Sequence, residues 1–193
     1  AMTSSYSSMT VAGMSLASIT SDGDLDWIQA LADAGERLLE QGEESAKRTA
    51  ELGFDRAVFI GGGPHFGTAL EAHLKLQELT DGGVICKAEG TLGVRHGPMA
   101  AIHPNTLIVL FLSASTYARQ YEIDLLREMR AKELGCATVV IGSGLNEVPD
   151  LGELADTLVD VGLPDDQPVD DVFRAPLYIL WPQMLAVHAS LHR

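Results

Sequence analysis

The sequence predicts an α/β protein, namely a doubly wound parallel sheet of about five strands in three layers, with helices on both faces. Two observations favour this fold class. Short apolar runs rich in β-branched residues recur along the chain, and segments with helical periodicity separate most of them. Because consecutive strands joined by a helix pair in parallel, this alternation indicates a doubly wound sheet.

Two helices are predicted before the first strand. Apolar residues repeat at helical spacing from Met9 to Ile19, which indicates one helix. Asp22 and Asp24 are candidate N-caps of a second helix that runs to about Leu52. These leading helices occupy positions 1–55.

Strands and helices then alternate to the end of the chain. The first strand is predicted at 57–60, where a glycine-rich turn follows it, and the later strands at 84–86, 107–112, 139–141 and 158–161. Helices are predicted at 69–79, 117–134 and 172–192, the last despite Pro176 and Pro182. We therefore expect one domain over 1–193, with the core sheet in 56–161 and a linker and closing helix in 162–193.

The charge of the chain restricts its partners. Of 193 residues, 27 are acidic and 13 are basic, so the formal net charge is −14. This charge argues against nucleic acid and against an anionic membrane surface as partners. The segment 56–103 holds four basic and four acidic residues, and a small anion would be least repelled there. Alternatively, that segment is mostly buried and therefore carries fewer charges.

The cysteines and the hydropathy pattern predict a cytoplasmic protein. Cys86 and Cys136 lie in apolar segments and form no spacing motif, which favours reduced thiols over a disulfide scaffold. No apolar run approaches the roughly 20 residues that span a bilayer. Positions 1–18 also lack the Lys or Arg with which a signal peptide begins.

Two loops are candidate binding sites because they follow strands and open helices. The amides of Gly61, Gly62 and Gly63, together with the helix dipole, could hold a phosphate, although a tight turn also requires glycine. Their spacing does not match the dinucleotide fingerprint, so NAD is not expected. Ser113, Ser115 and Thr116 offer hydroxyls to a sugar phosphate, with an ordinary helix N-cap as the alternative.

The helix after the glycine loop carries charged residues at helical spacing. Glu71, Lys75 and Glu78 are four and three residues apart, which places them on one stripe. Such a stripe is usually solvated. However, Arg95 and His96 follow strand two in a turn fixed by Gly-Pro, so a carboxylate and an imidazole are expected near one sheet edge. That pair suits acid/base catalysis on a sugar, although a histidine in a turn can also be incidental.

Three motifs together resemble a known family. The E-x-x-L-K-x-x-E-L-T stretch from Glu71 to Thr80 and the R-H-G-P turn from Arg95 to Pro98 resemble the second half of tandem sugar isomerase (SIS) proteins. The Y-A-R-Q-Y-E-I-D-L-L segment from Tyr117 to Leu126 is similar to the tagatose-6-phosphate ketose/aldose isomerase branch, also described as galactosamine-6-phosphate deaminase/isomerase. The resemblance implies a flavodoxin-like SIS domain that is the C-terminal half of a longer protein.

The resemblance also implies the roles of individual residues. Glu78 would be the base that moves a proton between sugar C1 and C2 through a cis-enediol, and His96 would assist ring opening, reaching the site of the neighbouring subunit. Lys75 and Glu71 would orient Glu78 or stabilise the enediolate. The expected catalytic residues are thus Glu78, His96 and Lys75. The expected substrate contacts are Gly61, Gly62, Gly63, Glu71, Arg95, Ser113, Ser115 and Thr116.

The implied substrate is a 6-phosphosugar or an amino-sugar phosphate, and the implied assembly is a homodimer. The resemblance also implies that most phosphate contacts come from a first SIS half, which we expect to lie outside this sequence. No metal is expected, because the histidines show no paired ligand spacing with a third ligand nearby, and no cofactor is expected either. Isomerisation and deamination stay open at this stage. The alternative function is a non-catalytic sugar-phosphate sensor, although this acidic chain has no DNA-binding segment.

Overall fold

The computed structural model describes residues 3–20, 25–163 and 169–192. In chain order the elements are α1 (Thr3–Thr20), α2 (Asp26–Ala50), β1 (Arg56–Gly61), α3 (His65–Leu79), β2 (Ile85–Gly90), β3 (Thr106–Phe111), α4 (Thr116–Ala131), β4 (Ala137–Gly142), α5 (Leu151–Leu154), β5 (Thr157–Asp160), α6 (Ala175–Tyr178) and α7 (Leu180–Leu191). Short 3-10 turns lie at Gly93–Arg95, Pro98–Ala101, Leu145–Glu147 and Asp171–Phe173.

The strands form one parallel sheet in the order β2-β1-β3-β4-β5. β1 lies between β2 and β3, so Phe59 pairs with Ala88 on one side and Val109 on the other. β3 and most of β1 and β4 are buried on both faces, as expected for apolar strands without alternation. The predicted doubly wound α/β class is confirmed, and the strand order is the flavodoxin-like one.

The two faces of the sheet pack against different elements. Phe59 and Val109 point to a core shared with α2, α3 and α7. Ile60 and Leu110, one residue further along the same strands, point to a second core shared with α4 and with the turns between β2 and β3. α3 and those turns therefore lie on opposite faces of the sheet.

The prediction of one continuous closing helix over 172–192 is wrong. A 3-10 turn over Asp171–Phe173 precedes α6, and a turn at Ile179 separates α6 from α7. Pro182 explains the second break, because it has no amide proton for the carbonyl of Tyr178 and its ring crowds that carbonyl. Pro176 is tolerated because it lies in the first turn of α6, where amide groups have no helical partner.

Other predicted boundaries moved by a few residues. β2 begins at Ile85 and continues to Gly90, while Val84 is fully buried just before it. The N-cap position of α2 is Leu25, and the predicted caps Asp22 and Asp24 lie outside the described residues. No helix in the described part of the chain has both the length and the apolar character to cross a membrane.

Candidate functional site

Three charged residues of α3 form one connected group. The core-facing side of α3 carries Ala72 and Leu76, and the charged stripe lies beside it. Lys75 Nζ lies 2.9 Å from Glu78 Oε2 and 3.4 Å from Glu71 Oε1. Although lysine is normally exposed, Lys75 is only 7% exposed. The group is therefore not the solvated stripe that the spacing alone allows.

The pKa values around this group follow from its charges. The hydrogen bond to Glu78 raises the pKa of Lys75, against the opposing effect of burial. On α1, burial and then the negative charge of Glu71 raise the pKa of Tyr6. Sequence reasoning assigned no role to Tyr6, which precedes the apolar repeat that predicts the first helix from Met9 onward. Glu78 itself keeps 44% of its side chain exposed, so the carboxylate is accessible to a ligand.

A row of apolar side chains lies beside the charged group. Phe66, Leu70 and Leu74 are spaced four residues apart on α3 and are 39%, 43% and 41% exposed. Exposed leucines are ordinary when they are scattered, but a contiguous row marks a surface that another protein surface can cover. Glu78 follows this row at the end of the same helix.

The turn that contains Arg95 and His96 lies on the other face of the sheet. Val94 and Met99 anchor it in the core shared with α4. Arg95 Nε donates to Glu128 Oε2 of α4 at 2.7 Å, whereas the His96 side chain is exposed. Among the described residues, no hydrogen bond or ion pair joins this turn to Glu78. Within one chain, the predicted imidazole and carboxylate are near the same edge strand but are separated by the sheet.

The glycine loop after β1 is explained by close packing. A Cβ on Gly61 would lie 2.4 Å from the carbonyl oxygen of His65, and Gly63 has a φ of +52°. A Cβ on Gly62 would lie 3.2 Å from both Glu122 Oε1 and Thr91 Oγ1. This loop lies at the amino end of α3, about 20 Å along the helix axis from Glu78. The structure therefore does not bring the predicted glycine contacts and the charged group together.

The loop after β3 is closed by a distant aspartate. The Ser113 hydroxyl donates to Asp171 Oδ2, and the Ala114 amide donates to Asp171 Oδ1 at 2.9 Å. Ser115 is the N-cap of α4 and accepts from the Ala118 amide at 3.5 Å, and Thr116 follows as the first helical residue. Contacts between these hydroxyls and a substrate phosphate stay a prediction.

A buried glutamate lies behind the same loop. Glu122 of α4 is 1% exposed, and its Oε2 accepts from the Ser113 amide at 2.8 Å. Burial, and to a lesser degree the charge of Asp171, raises the pKa of Glu122 to about 7. Its Oε1 has no hydrogen-bond partner within the described residues. Sequence reasoning assigned no role to either acid, since Glu122 entered only as part of the Tyr117–Leu126 segment and Asp171 as the end of the predicted linker.

Among residues 3–20, 25–163 and 169–192, no group of three or more His, Cys, Asp or Glu side chains has the geometry of a metal site. The residues described above offer carboxylates, one buried ammonium and an exposed imidazole. These groups suit proton transfer next to a carbonyl.

Comparisons with known proteins add a sequence and fold relationship. No family model matches the chain. A candidate D-galactosamine-6-phosphate deaminase, AgaS, of Streptomyces coelicolor is 36% identical over 197 residues, which covers 100% of this chain and 49% of that protein. The chain thus spans about half the length of the curated relatives it matches.

Solved structures give the same relationship. A candidate tagatose-6-phosphate ketose/aldose isomerase from Clostridium novyi has a TM-score of 0.80 at 33% identity, over 86% of this chain and 42% of that one. The tagatose-6-phosphate ketose/aldose isomerase from Escherichia coli has a TM-score of 0.73 at 30% identity, over 84% of this chain and 43% of that one.

Proposed function

The chain is a sugar isomerase (SIS) domain, and we propose that it forms the C-terminal half of an aldose-ketose isomerase or deaminase that acts on a 6-phosphosugar or an amino-sugar phosphate. Glu78 is the proposed base. The observation that supports this role is the pairing of an accessible Glu78 with a buried Lys75 at 2.9 Å, with Glu71 on the other side of the ammonium.

The proposed reaction moves one proton between adjacent carbons. Glu78 removes the proton from C2 of the open-chain aldose, which gives a cis-enediolate; a proton passes from the C2 hydroxyl to the C1 oxygen, and Glu78 returns its proton to C1 to give the ketose. Sugar C1 and C2 are about 1.5 Å apart, so one carboxylate can serve both positions. Negative charge develops on the enediolate oxygen, and the ammonium of Lys75 is the cation nearest to the base.

Deamination begins with the same removal of the C2 proton by Glu78. With an amino group on C2, proton transfer from C2 to C1 gives an imine at C2; water adds to it and ammonia leaves, which produces the same ketose. The relatives named for deaminase and for isomerase activities fit either outcome. Which reaction occurs depends on the group at C2 of the substrate, so the test uses both substrates.

His96 is proposed to assist ring opening in the site of another copy. It is exposed and lies on the face of the sheet opposite α3, so in one chain it does not meet Glu78. A symmetric dimer would bring the turn of one copy to the site of the other. The exposed row of Phe66, Leu70 and Leu74 beside Glu78 offers a surface that the first SIS half or a second copy can cover.

The other expected substrate contacts stay predictions within this proposal, as does the cytoplasmic location. These contacts are Gly61, Gly62, Gly63, Glu71, Arg95, Ser113, Ser115 and Thr116.

The test is hydrogen exchange at C1 of the ketose and at C2 of the amino sugar. Tagatose-6-phosphate, the ketose product, and galactosamine-6-phosphate are incubated in deuterated water with the chain, and with a version extended by the upstream half, and proton NMR follows the carbon-bound protons at C1 and C2. We expect exchange with the extended protein, loss of exchange in Glu78→Gln, and no loss in Glu44→Gln, a control on the exposed face of α2. Released ammonia identifies a deaminase. Absence of exchange with intact ligand binding would favour the sugar-phosphate sensor instead.

A further inference from the structure

Glu128 lies on α4 beside the turn that carries His96. Its Oε2 accepts from Arg95 Nε at 2.7 Å, and its Oε1 accepts from the ammonium of Lys132 at 2.6 Å. That ammonium also lies 3.6 Å from the sulfur of Met99. Arg95 directly precedes His96, and Met99 follows it by three positions. One carboxylate is therefore connected to both ends of the turn, directly at one end and through Lys132 at the other.

The His96 side chain has no such connection of its own. It is exposed, and it makes no hydrogen bond or ion pair with the residues that the structure describes. Its backbone amide donates to a carbonyl of the same turn at 2.9 Å. Buried Val94 and Met99 hold the inner side of the turn, whereas the partly exposed pair of Arg95 and Glu128 holds it at the surface. The position of the imidazole therefore depends on how the turn is held.

The charges around Glu128 suit this holding role. The hydrogen bond from Lys132, and then the one from Arg95, lower the pKa of Glu128 below its ordinary value, so the carboxylate is ionised at neutral pH. An isolated pair at this exposure contributes little to stability, but a network of several charges can hold a defined geometry. The bond from Arg95 uses Nε, so its two Nη groups stay available for the expected substrate contact.

We propose that Glu128 is a positioning residue for His96 and holds the R-H-G-P turn in the geometry that ring opening requires. The inference rests on the proposed function, because ring opening is the step proposed for His96. In that step the anomeric hydroxyl of the closed-ring sugar loses a proton and the ring oxygen gains one. A displacement of an acid/base group by about 1 Å can cost about 100-fold in rate. Removal of Glu128 should therefore slow the reaction of a closed-ring sugar but not that of an open-chain one.

The test separates ring opening from proton transfer by the choice of substrate. Tagatose-6-phosphate closes its ring through the C5 hydroxyl, whereas its 5-deoxy analogue lacks that hydroxyl and stays in the open-chain form. Exchange of the C1 protons in deuterated water is measured for both compounds with the extended protein.

The variants are Glu128→Ala, His96→Asn and the double variant. Alanine favours a helix, so α4 should keep its structure. Asp124→Ala is the matched control, because it removes a carboxylate of the same helix that pairs with Arg127 at 3.0 Å and not with the turn.

We expect Glu128→Ala to slow exchange of tagatose-6-phosphate by about 10-fold or more and to leave exchange of the 5-deoxy analogue unchanged. The double variant should be no slower than His96→Asn alone, because both changes act on one step. Asp124→Ala should match the wild type with both compounds. An equal loss with both compounds in Glu128→Ala, or additive losses in the double variant, would overturn the positioning role.

A second measurement observes the turn without turnover. Hydrogen exchange of the His96 backbone amide is followed by NMR, and we expect it to be faster by about 3-fold or more in Glu128→Ala than in the wild type and Asp124→Ala. Equal amide exchange in the three proteins would overturn the inference.

Failure of the inference and failure of the proposed function give different results. A wild type that exchanges the C1 protons of neither compound would overturn the proposed function, and the role of Glu128 with it. A wild type that exchanges both, with Glu128→Ala equally active, would overturn the inference alone.

Discussion

Lys75 and Glu78 lie one helical turn apart on α3, with the ammonium 2.9 Å from the carboxylate, and of the two only Glu78 is substantially exposed. An exposed pair at this spacing contributes only about 0.2–0.5 kcal/mol to a helix. The burial of Lys75 makes the arrangement different, because a buried ammonium needs its carboxylate partners to remain charged. The pair therefore presents an accessible base whose position is set by a buried cation.

Replacing Lys75 by Met tests this relationship. We expect kcat of the extended protein to fall by about 100-fold or more, because a nearby donor to a developing oxyanion is typically of that importance. The free energy of unfolding should fall by only about 1–2 kcal/mol, since Met fills much of the same space. Urea unfolding and steady-state kinetics measure the two effects, with exposed Lys47→Met as the control. An unchanged kcat would remove Lys75 from the proposed catalytic group.

His96→Asn should separate activity from stability. Because the side chain is exposed and has no described partner, the free energy of unfolding should change by less than about 0.5 kcal/mol. Loss of an acid/base group should lower turnover of the closed-ring substrate by about 10²–10⁴-fold. His103→Asn, also exposed, is the matched control. Equal loss of activity in both variants would contradict a specific role of His96.

Mixed dimers test whether His96 acts in the site of another copy. Neither Glu78→Gln nor His96→Asn should be active alone, but refolding an equal mixture should restore about a quarter of wild-type activity. The reason is that about half of the randomly formed dimers are mixed, and each mixed dimer has one complete site. No recovery, with mixed dimers demonstrated by mass spectrometry, would place both residues in the same chain's site.

The fold and the charged group were predictable because their signals are local. Strands such as β1 and β3 are continuous apolar runs, and the spacing of Glu71, Lys75 and Glu78 fixes a common stripe on α3. The spacing does not predict that Lys75 is buried, because its burial depends on how α3 packs in the folded domain. From the spacing alone, a solvated stripe was therefore the favoured interpretation.

The contacts of Ser113 with Glu122 and Asp171 at the loop after β3 were not predictable from the sequence, because they join distant parts of the chain. Asp171 lies in a segment that reads as a linker, and only the fold brings it to Ser113. Glu122 lies on an amphipathic helix of mixed charge, and its complete burial results from the position of the loop after β3. The break at Ile179 likewise depends on Pro182, whose effect a helical periodicity conceals.

Two glycines of the loop after β1 should respond differently to alanine. Gly61→Ala places a methyl group 2.4 Å from the carbonyl oxygen of His65, so backbone must move, and we expect a loss of more than about 2 kcal/mol in the free energy of unfolding. Gly63→Ala meets no atom within 4 Å and bears only the cost of its positive φ, about 1–2 kcal/mol. Urea unfolding of the two variants gives the comparison. A smaller effect at Gly61 than at Gly63 would contradict the close packing of this loop.

Glu122 should make the stability of the protein depend on pH near neutrality. Burial raises its pKa from about 4.5 to about 7 in the folded state. Between these values the folded protein binds a proton that the unfolded chain has released, so the free energy of unfolding falls as pH rises through this window. The effect is complete above about pH 7 and is fully absent below about pH 4.5. Its upper limit is about 3 kcal/mol, the free-energy equivalent of moving the pKa from about 4.5 to about 7.

Glu122→Gln should abolish this dependence, because the amide does not titrate. We expect the wild type to lose stability relative to Glu122→Gln between pH 5 and pH 8, as measured by urea unfolding at several pH values. Glu128→Gln, on the same helix, is the control. The pKa of Glu128 is lowered by its hydrogen bonds to Lys132 and Arg95, so its contribution to stability is retained above its ordinary pKa and lost only as pH falls. A constant difference between the wild type and Glu122→Gln across pH 5–8 would mean that Glu122 stays ionised behind the Ser113 loop.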